Sequence, residues 1–369
     1  MRVPFDAPLA AYEAKADEVW QAFEARDAKV AEIIGNLHPR YRDPAVPWKV
    51  IDFCGSDVLR APFSVTDARL VVARGHEFRD WAALRDYCES LAGPARGFEA
   101  AVEAVIDGDA GALERMLAER PGLARERSTR ITCFDPPVHG ATLLHYVAAN
   151  GVEGYRQRTP ANAVEIARLL LEAGADPDAT ATMYGGECGV MSLLVSSSHP
   201  AAAGVQVALI DLLVDHGASV EPLGRGHWTS PLRTALAFGF VNAARALIRR
   251  GAEVDFTAAA GLGELRSLEE ASPDERHAAL ALAAQLGQTE VVRKLLDAGE
   301  DPDRFNPEGM HAHATPLHHA ALHGHAGVVR LLMERGSRLD IRDKLWDATP
   351  LGWAEHGEQR ETAALLAGR

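Results

Sequence analysis

The chain has 369 residues, with 38 Lys and Arg against 52 Asp and Glu for a net charge of −14, and four cysteines. That length can bury a sizeable core without covalent staples, and the excess of acid argues against a broad nucleic-acid or anionic-membrane surface, which needs Lys and Arg. The cysteines, at 54, 88, 133 and 188, show no CxxC spacing, which argues against a disulfide framework or thiolate zinc site and for free thiols in a reducing compartment.

Residues 1–20 alternate apolar and charged types without the basic start and apolar core of a secretory leader. No stretch approaches the ~18 apolar residues of a membrane helix, so the expected location is the cytoplasm. Ala10 to Ile34 places Val19, Trp20, Phe23, Val30, Ile33 and Ile34 near helical spacing. The Pro-rich, aromatic stretch from His38 to Phe63 is expected to be irregular. Thr66 is placed to cap a helix through about Ala73, and Asp80 another through Leu91. Gly93-Pro94-Ala95-Arg96-Gly97 reads as a hinge, giving a helical N-terminal region over 1–97.

From there to the C-terminus one phrase recurs. It is fullest at Thr315-Pro316-Leu317-His318-His319-Ala320-Ala321-Leu322-His323-Gly324-His325, followed by Val328-Val329-Arg330-Leu331-Leu332 and Gly336. Copies start at Thr142, Met191, Ser230, Ala278 and Thr349, with a degenerate opening copy near 99. Thr can cap a helix, Pro suits its first turn, and the closing glycine supplies a left-handed end. A further degenerate copy over Val254 to Gly263 splits the 230–278 interval, which makes about eight units over 98–369, two of them shortened and the terminal ones degenerate. Residues 152–163 form an insert between two helices, and the connecting segments 126–141, 178–190 and 303–314 are long.

This phrase resembles the ankyrin repeat, over roughly three quarters of the chain. The resemblance implies an all-α fold, a solenoid of helix pairs with long finger loops, preceded here by a helical N-terminal region that caps the exposed end of the stack. Residues 67–84 are similar to a short helical unit found ahead of the repeats in some bacterial ankyrin proteins. The resemblance also implies binding rather than catalysis, through the finger tips and the exposed positions of the first helices. Frame positions expected on that surface include Tyr146, His319, His323 and Trp353, and finger residues include Tyr184, His227, Trp228, His311, His313 and Trp346. Aromatic and His side chains of this kind favour binding hot spots.

The family pattern gives His318, His325 and His145 hydrogen-bonding roles within and between repeats. His311 and His313 could share one side of an extended finger, and His319 and His323 one helical face. Without a further cluster at metal-ligand spacing, polar or structural roles are expected over a metal site. Tyr184-Gly185-Gly186-Glu187-Cys188-Gly189 reads as a turn in a finger, and no nucleophile elbow, P-loop or dinucleotide fingerprint is present.

The sequence therefore predicts a non-enzymatic scaffold, monomeric and without cofactor or metal, that binds a protein or peptide partner carrying a basic patch, with no nucleic acid or membrane involved. Substitutions at Trp228, His311 and His319 are expected to weaken that binding and spare stability. The alternative is a small-molecule binder or enzyme, in which Tyr184, His227, Trp228, His311 and His313 converge on one pocket.

Overall fold

The computed structural model describes residues 3–5, 7–44, 49–91 and 94–368. No helix among them is long and apolar enough to cross a membrane. The chain divides into two units, Met1–Val190 and Met191–Arg369.

The first unit opens with α1 (Leu9–Glu24) and α2 (Ala28–Leu37). The periodicity from Ala10 to Ile34 is thus carried by two helices. Arg26 takes a left-handed φ of 56°, and Asp27 caps α2 by accepting from the Lys29 N–H at 2.8 Å. The Pro-rich stretch is less irregular than expected: a short 3₁₀ turn at Pro39–Tyr41 and α3 (Gly55–Arg60) lie within it. The cap of α4 (Val65–Gly75) is Ser64, not Thr66. Its hydroxyl accepts from the Asp67 N–H while the Asp67 carboxylate accepts from the Ser64 N–H, the reciprocal box that outcompetes a lone Thr two residues later. Asp80 caps α5 (Trp81–Ser90) as the sequence predicts. The expected hinge is helical from Pro94 onward, where α6 (Pro94–Asp107) begins; Gly93 lies outside the described residues. Tyr12, Val19 and Phe23 of α1, Ile34 of α2, Val71 of α4 and Leu84 of α5 form one core. Full burial of such side chains contributes about 1.5–3 kcal/mol each.

Helix α7 (Ala110–Glu119) follows α6, and α8 (Leu143–Ala148) with α9 (Ala163–Glu172) forms the next pair. The finger after α9 is a two-stranded hairpin, β1 (Thr180–Met183) and β2 (Gly186–Gly189), pairing Thr180 with Gly189 and Met183 with Gly186. Its two turn residues, Tyr184 and Gly185, have φ of 54° and 76°. Two successive left-handed residues match the twist of a tight hairpin.

Next come α10 (Val190–Ser196), α11 (Ser198–Ala202) and α12 (Gln206–Asp215), then α13 (Pro231–Ala237) with α14 (Val241–Arg249). The degenerate unit after them contributes one helix only, α15 (Phe256–Gly261), which packs on α16 (Pro273–Gln285). The pairs α16 with α17 (Thr289–Asp297), α18 (Pro316–Leu322) with α19 (Ala326–Glu334), and α20 (Pro350–His356) with α21 (Arg360–Leu366) complete the second unit. Leu280, Val292, Leu295, Leu317, Val329, Leu332 and Ala354 share its core. Alanines at 260, 279, 283, 284, 320 and 321, all unexposed, let successive first helices approach closely.

Candidate functional site

The recurring Thr and His knit the repeats together. Thr315 Oγ1 and His318 Nδ1 lie 2.8 Å apart, and Nδ1 also accepts from the Thr315 N–H. The other ring nitrogen of His318 donates to the Ala348 carbonyl of the following finger at 3.2 Å. Thr142 and His145 repeat the first arrangement. His325 donates to the Gln285 carbonyl of the preceding repeat at 2.8 Å. These histidines carry the within-repeat and between-repeat bonds the sequence pattern implies.

The remaining histidines of this region join aromatic side chains in a continuous belt on the second unit. Trp228 meets Phe238 at 5.2 Å between ring centres and His311 at 5.9 Å. His311 meets Phe238 at 5.5 Å and His319 at 5.0 Å. His319 leads to Trp353 at 5.2 Å, and Trp353 to Trp346 at 5.9 Å. His313 sits against Trp346 at 5.1 Å and Trp353 at 5.7 Å, while His323 extends the row 6.3 Å beyond His319. The rings come from three fingers, from the first helices α18 and α20, and from the C-terminal caps of α13 and α18. Phe238 and Trp346 are exposed by 40% and 51%, whereas His319 and Trp353 are buried beneath them.

Local bonds fix the belt. His311 has a left-handed φ of 60° and donates through Nε2 to the Ala237 carbonyl at 3.0 Å. The buried Asp343 carboxylate accepts from the backbone N–H groups of Leu345, Trp346 and Ala348 and from Trp353 Nε1. Burial opposes its charge, but those donors outweigh burial and hold the carboxyl below its usual range. Burial lowers the imidazoles in turn. His311 is lowered against the pull of the Ala237 carbonyl. His313 is lowered to about 4, by burial and then by His311. His319 is held well below its ordinary value by burial and by four neighbouring histidines, and neither of its ring nitrogens has a hydrogen-bond partner. The belt is therefore uncharged at neutral pH.

Of the residues predicted for binding, Trp228, His311, His313, His319, His323 and Trp353 meet in this belt. His319 and Trp353 form its floor and not its surface, a correction to their expected exposure. Exposed His227 lies 4.0 Å from Glu308. Exposed Tyr184 belongs to the first unit, where its hydroxyl donates to Asn150 Oδ1 at 2.7 Å and accepts from the Gly151 N–H. Tyr146 is corrected outright: it is unexposed and packs beside Arg156 and Phe98. Phe238 was not singled out by the sequence, although it occupies the same repeat position as His323. Among the described residues no group of three or more His, Cys, Asp or Glu is placed to hold a metal ion. The Cys188 thiol is pushed up to about 11 by burial, which leaves it protonated and weakly nucleophilic.

The insert 152–163 holds what the sequence least suggested. Arg156 is unexposed and pairs with Glu99 at 2.6 Å and Glu103 at 2.8 Å, while Arg130 pairs with Glu153 at 2.8 Å. Both guanidinium groups stack on Phe5, at 4.2 and 4.4 Å. Arg130 also donates to the His76 carbonyl and to the Tyr155 hydroxyl. The Glu77 carboxylate accepts from the Gly154 N–H. Phe5, His76 and Glu77 of the N-terminal region thereby contact the finger at 130 and the insert. Burial disfavours the Glu153 charge, but Arg130 and its other donors hold the carboxyl well below the usual range.

The family model described as ankyrin repeats (3 copies) matches residues 263–343 and 280–369, and the one described as ankyrin repeat matches 139–182. Cyclin-dependent kinase 4 inhibitor B of Bos taurus is 33% identical over 116 residues, which cover 24% of this chain and 88% of that protein. An ankyrin repeat-containing protein of Schizosaccharomyces pombe is 40% identical over 63 residues, 17% of this chain and 28% of its own. A putative ankyrin repeat-containing protein of Treponema pallidum is 32% identical over 139 residues, covering 38% of this chain and 40% of its own. The chain thus spans less than half the length of the last two. The crystal structure of the human ASB11 ankyrin repeat domain aligns with 72% of this chain and 96% of its own, at 19% identity and a TM-score of 0.36.

Proposed function

The chain belongs to the ankyrin repeat family, and on that premise we propose that it is a non-enzymatic interaction scaffold whose partner is another protein. The observation that carries this reading is the belt. Uncharged rings from three fingers and from the first helices and their C-terminal caps meet in one row, with Phe238 and Trp346 exposed. Large aromatic side chains set on a rigid floor gain contact area on binding at little entropic cost. The relative of Bos taurus is named as the inhibitor of a kinase, a function exerted on another protein. The net charge of −14 favours a partner with a basic patch, through complementarity and steering. The proposal carries with it a monomer acting in the cytoplasm.

Affinity capture from lysate of the native host tests this reading, with the wild-type chain and a Phe238→Ala/Trp346→Ala chain used side by side. A protein retained by the first and lost from the second supports it, provided both chains melt alike. Retention of the same proteins by both overturns it.

A further inference from the structure

Beside the belt, the second unit contains a cavity of about 230 Å³, lined among others by Arg233, Thr257, Asp274, Glu275, Glu308 and Met310. It is smaller than the roughly 300–1,000 Å³ of drug-sized ligand sites, and suits one long side chain. Its charge is one-sided. Arg233 is already committed, its Nε lying 2.5 Å from the Asp255 carboxylate. Glu275 accepts from the backbone and hydroxyl of Ser272, which favours its charged form. Asp274 faces Arg304 at 3.4 Å but remains largely exposed, and the Glu308 carboxylate lies 4.0 Å from the His227 ring. The start of α16 would by itself favour an anion, but Asp274 and Glu275 already stand in that first turn, and Glu308 adds a third carboxylate.

A second, independent feature lies deeper. Thr257 lines the cavity, is 1% exposed, and its hydroxyl has no hydrogen-bond partner. Buried hydroxyls are ordinarily satisfied. Met310, 5% exposed, together with Pro307 and Ala278 supplies an apolar wall. An apolar wall for methylenes, carboxylates for a cation and a spare acceptor match the amphipathic stem and five-donor head of arginine better than the three-donor head of lysine.

Resting on the interaction reading, we propose that this cavity receives a single arginine side chain of the protein partner, its guanidinium donating to the Asp274, Glu275 and Glu308 carboxylates and to the Thr257 hydroxyl.

The test needs no partner. The full chain has six methionines, so a ¹³C-methyl-methionine spectrum is sparse, and Met310→Leu assigns the reporter. Nα-acetyl-arginine amide should shift the Met310 methyl and leave the other methionines in place. The neutral isostere, Nα-acetyl-citrulline amide, should bind at least ~10-fold more weakly because the charge-assisted bonds are lost. The lysine amide should fall between them. Thr257→Val and the surface variant Glu308→Gln should each weaken the arginine probe at least ~3-fold at an unchanged melting temperature. No Met310 response to the arginine probe, an equal response to citrulline, tighter binding of lysine, or full affinity in both variants would overturn the assignment. Should the probe fail while Phe238→Ala/Trp346→Ala still abolishes partner capture, the pocket falls and the scaffold reading stands.

Discussion

The imidazole rings of His311 and His319 sit 5.0 Å apart, centre to centre, and burial keeps both below their ordinary protonation range. His313 and His323 adjoin them, with Asp343 and Lys344 beside His313. This neighbourhood ties the belt to pH. Well above a pH of about 6.5, where unfolded histidines have also lost their protons, the belt adds no pH dependence to stability. Below it the unfolded chain takes up protons that the folded belt refuses. Stability therefore falls as pH drops, from about 6.5 toward the value near 4 to which His313 is lowered. Each refused proton adds a slope of about 1.4 kcal/mol per pH unit. Glu153, lowered in the folded state, adds its own loss only below its ordinary range near 4.5. Urea unfolding between pH 7.5 and 5 should show the histidine limb, and His319→Gln should reduce its slope. A flat profile over that interval would contradict the placement of these rings.

Exposure divides the belt into two kinds of position. Trp346→Ala and Phe238→Ala remove exposed rings, and each should change unfolding free energy by under about 1 kcal/mol. His319 is 4% exposed, so His319→Ala opens a cavity and should cost about 1–3 kcal/mol. That revises the sequence-based expectation that His319 could be replaced at no cost to stability. Denaturant titration of the three variants separates the classes, and equal costs would erase the distinction.

Arg156 is the largest of the fully buried side chains among the described residues. Arg156→Met leaves Glu99 buried without its ion-pair partner, while Glu153 keeps Arg130, and should cost about 3–5 kcal/mol. Adding Glu99→Met should restore part of that loss, since a buried pair replaced by apolar groups is often tolerated. Urea midpoints of wild type, both single variants and the double variant form the cycle. Additive single losses would show that the pair is not coupled.

The repeat core makes a simpler demand. Leu317 and Leu331, at 1% and 2% exposure, should each cost about 2–5 kcal/mol on truncation to Ala. A loss under about 0.5 kcal/mol, typical of surface positions, would place them outside the inter-repeat core.

The repeats were legible because every residue of Thr315-Pro316-Leu317-His318 acts locally. Thr315 caps the helix, Pro316 fits its first turn, Leu317 enters the core, and His318 bonds back to the cap. A turn in this finger was legible from its glycines, but not its paired strands or the place of Tyr184 in it, because Tyr is a poor advertisement for a left-handed turn residue, and a hydrogen bond to Asn150, 34 positions away, accompanies it there. The role of the insert was not legible for a related reason. Arg, Glu and Tyr in a loop carry no local sign of burial, and theirs depends on Glu99, Glu103, Phe5 and His76, which lie 53 to 151 positions from Arg156 or 54 from Arg130 in sequence. Two rings of the belt were visible together as the shared helical face of His319 and His323. The arrival of Trp228, His311 and Trp346 against that face is tertiary and left no local signature.

The central claim is that the belt binds a protein. Its most direct measurement is the dissociation constant of the captured partner for the full chain, wild type against Phe238→Ala/Trp346→Ala, by isothermal titration calorimetry at pH 7.5. Loss of two exposed aromatic anchors predicts affinity lower by ~30-fold or more, at about 1–2 kcal/mol per ring. Affinities that agree within about twofold, a difference of under 0.5 kcal/mol, would contradict it.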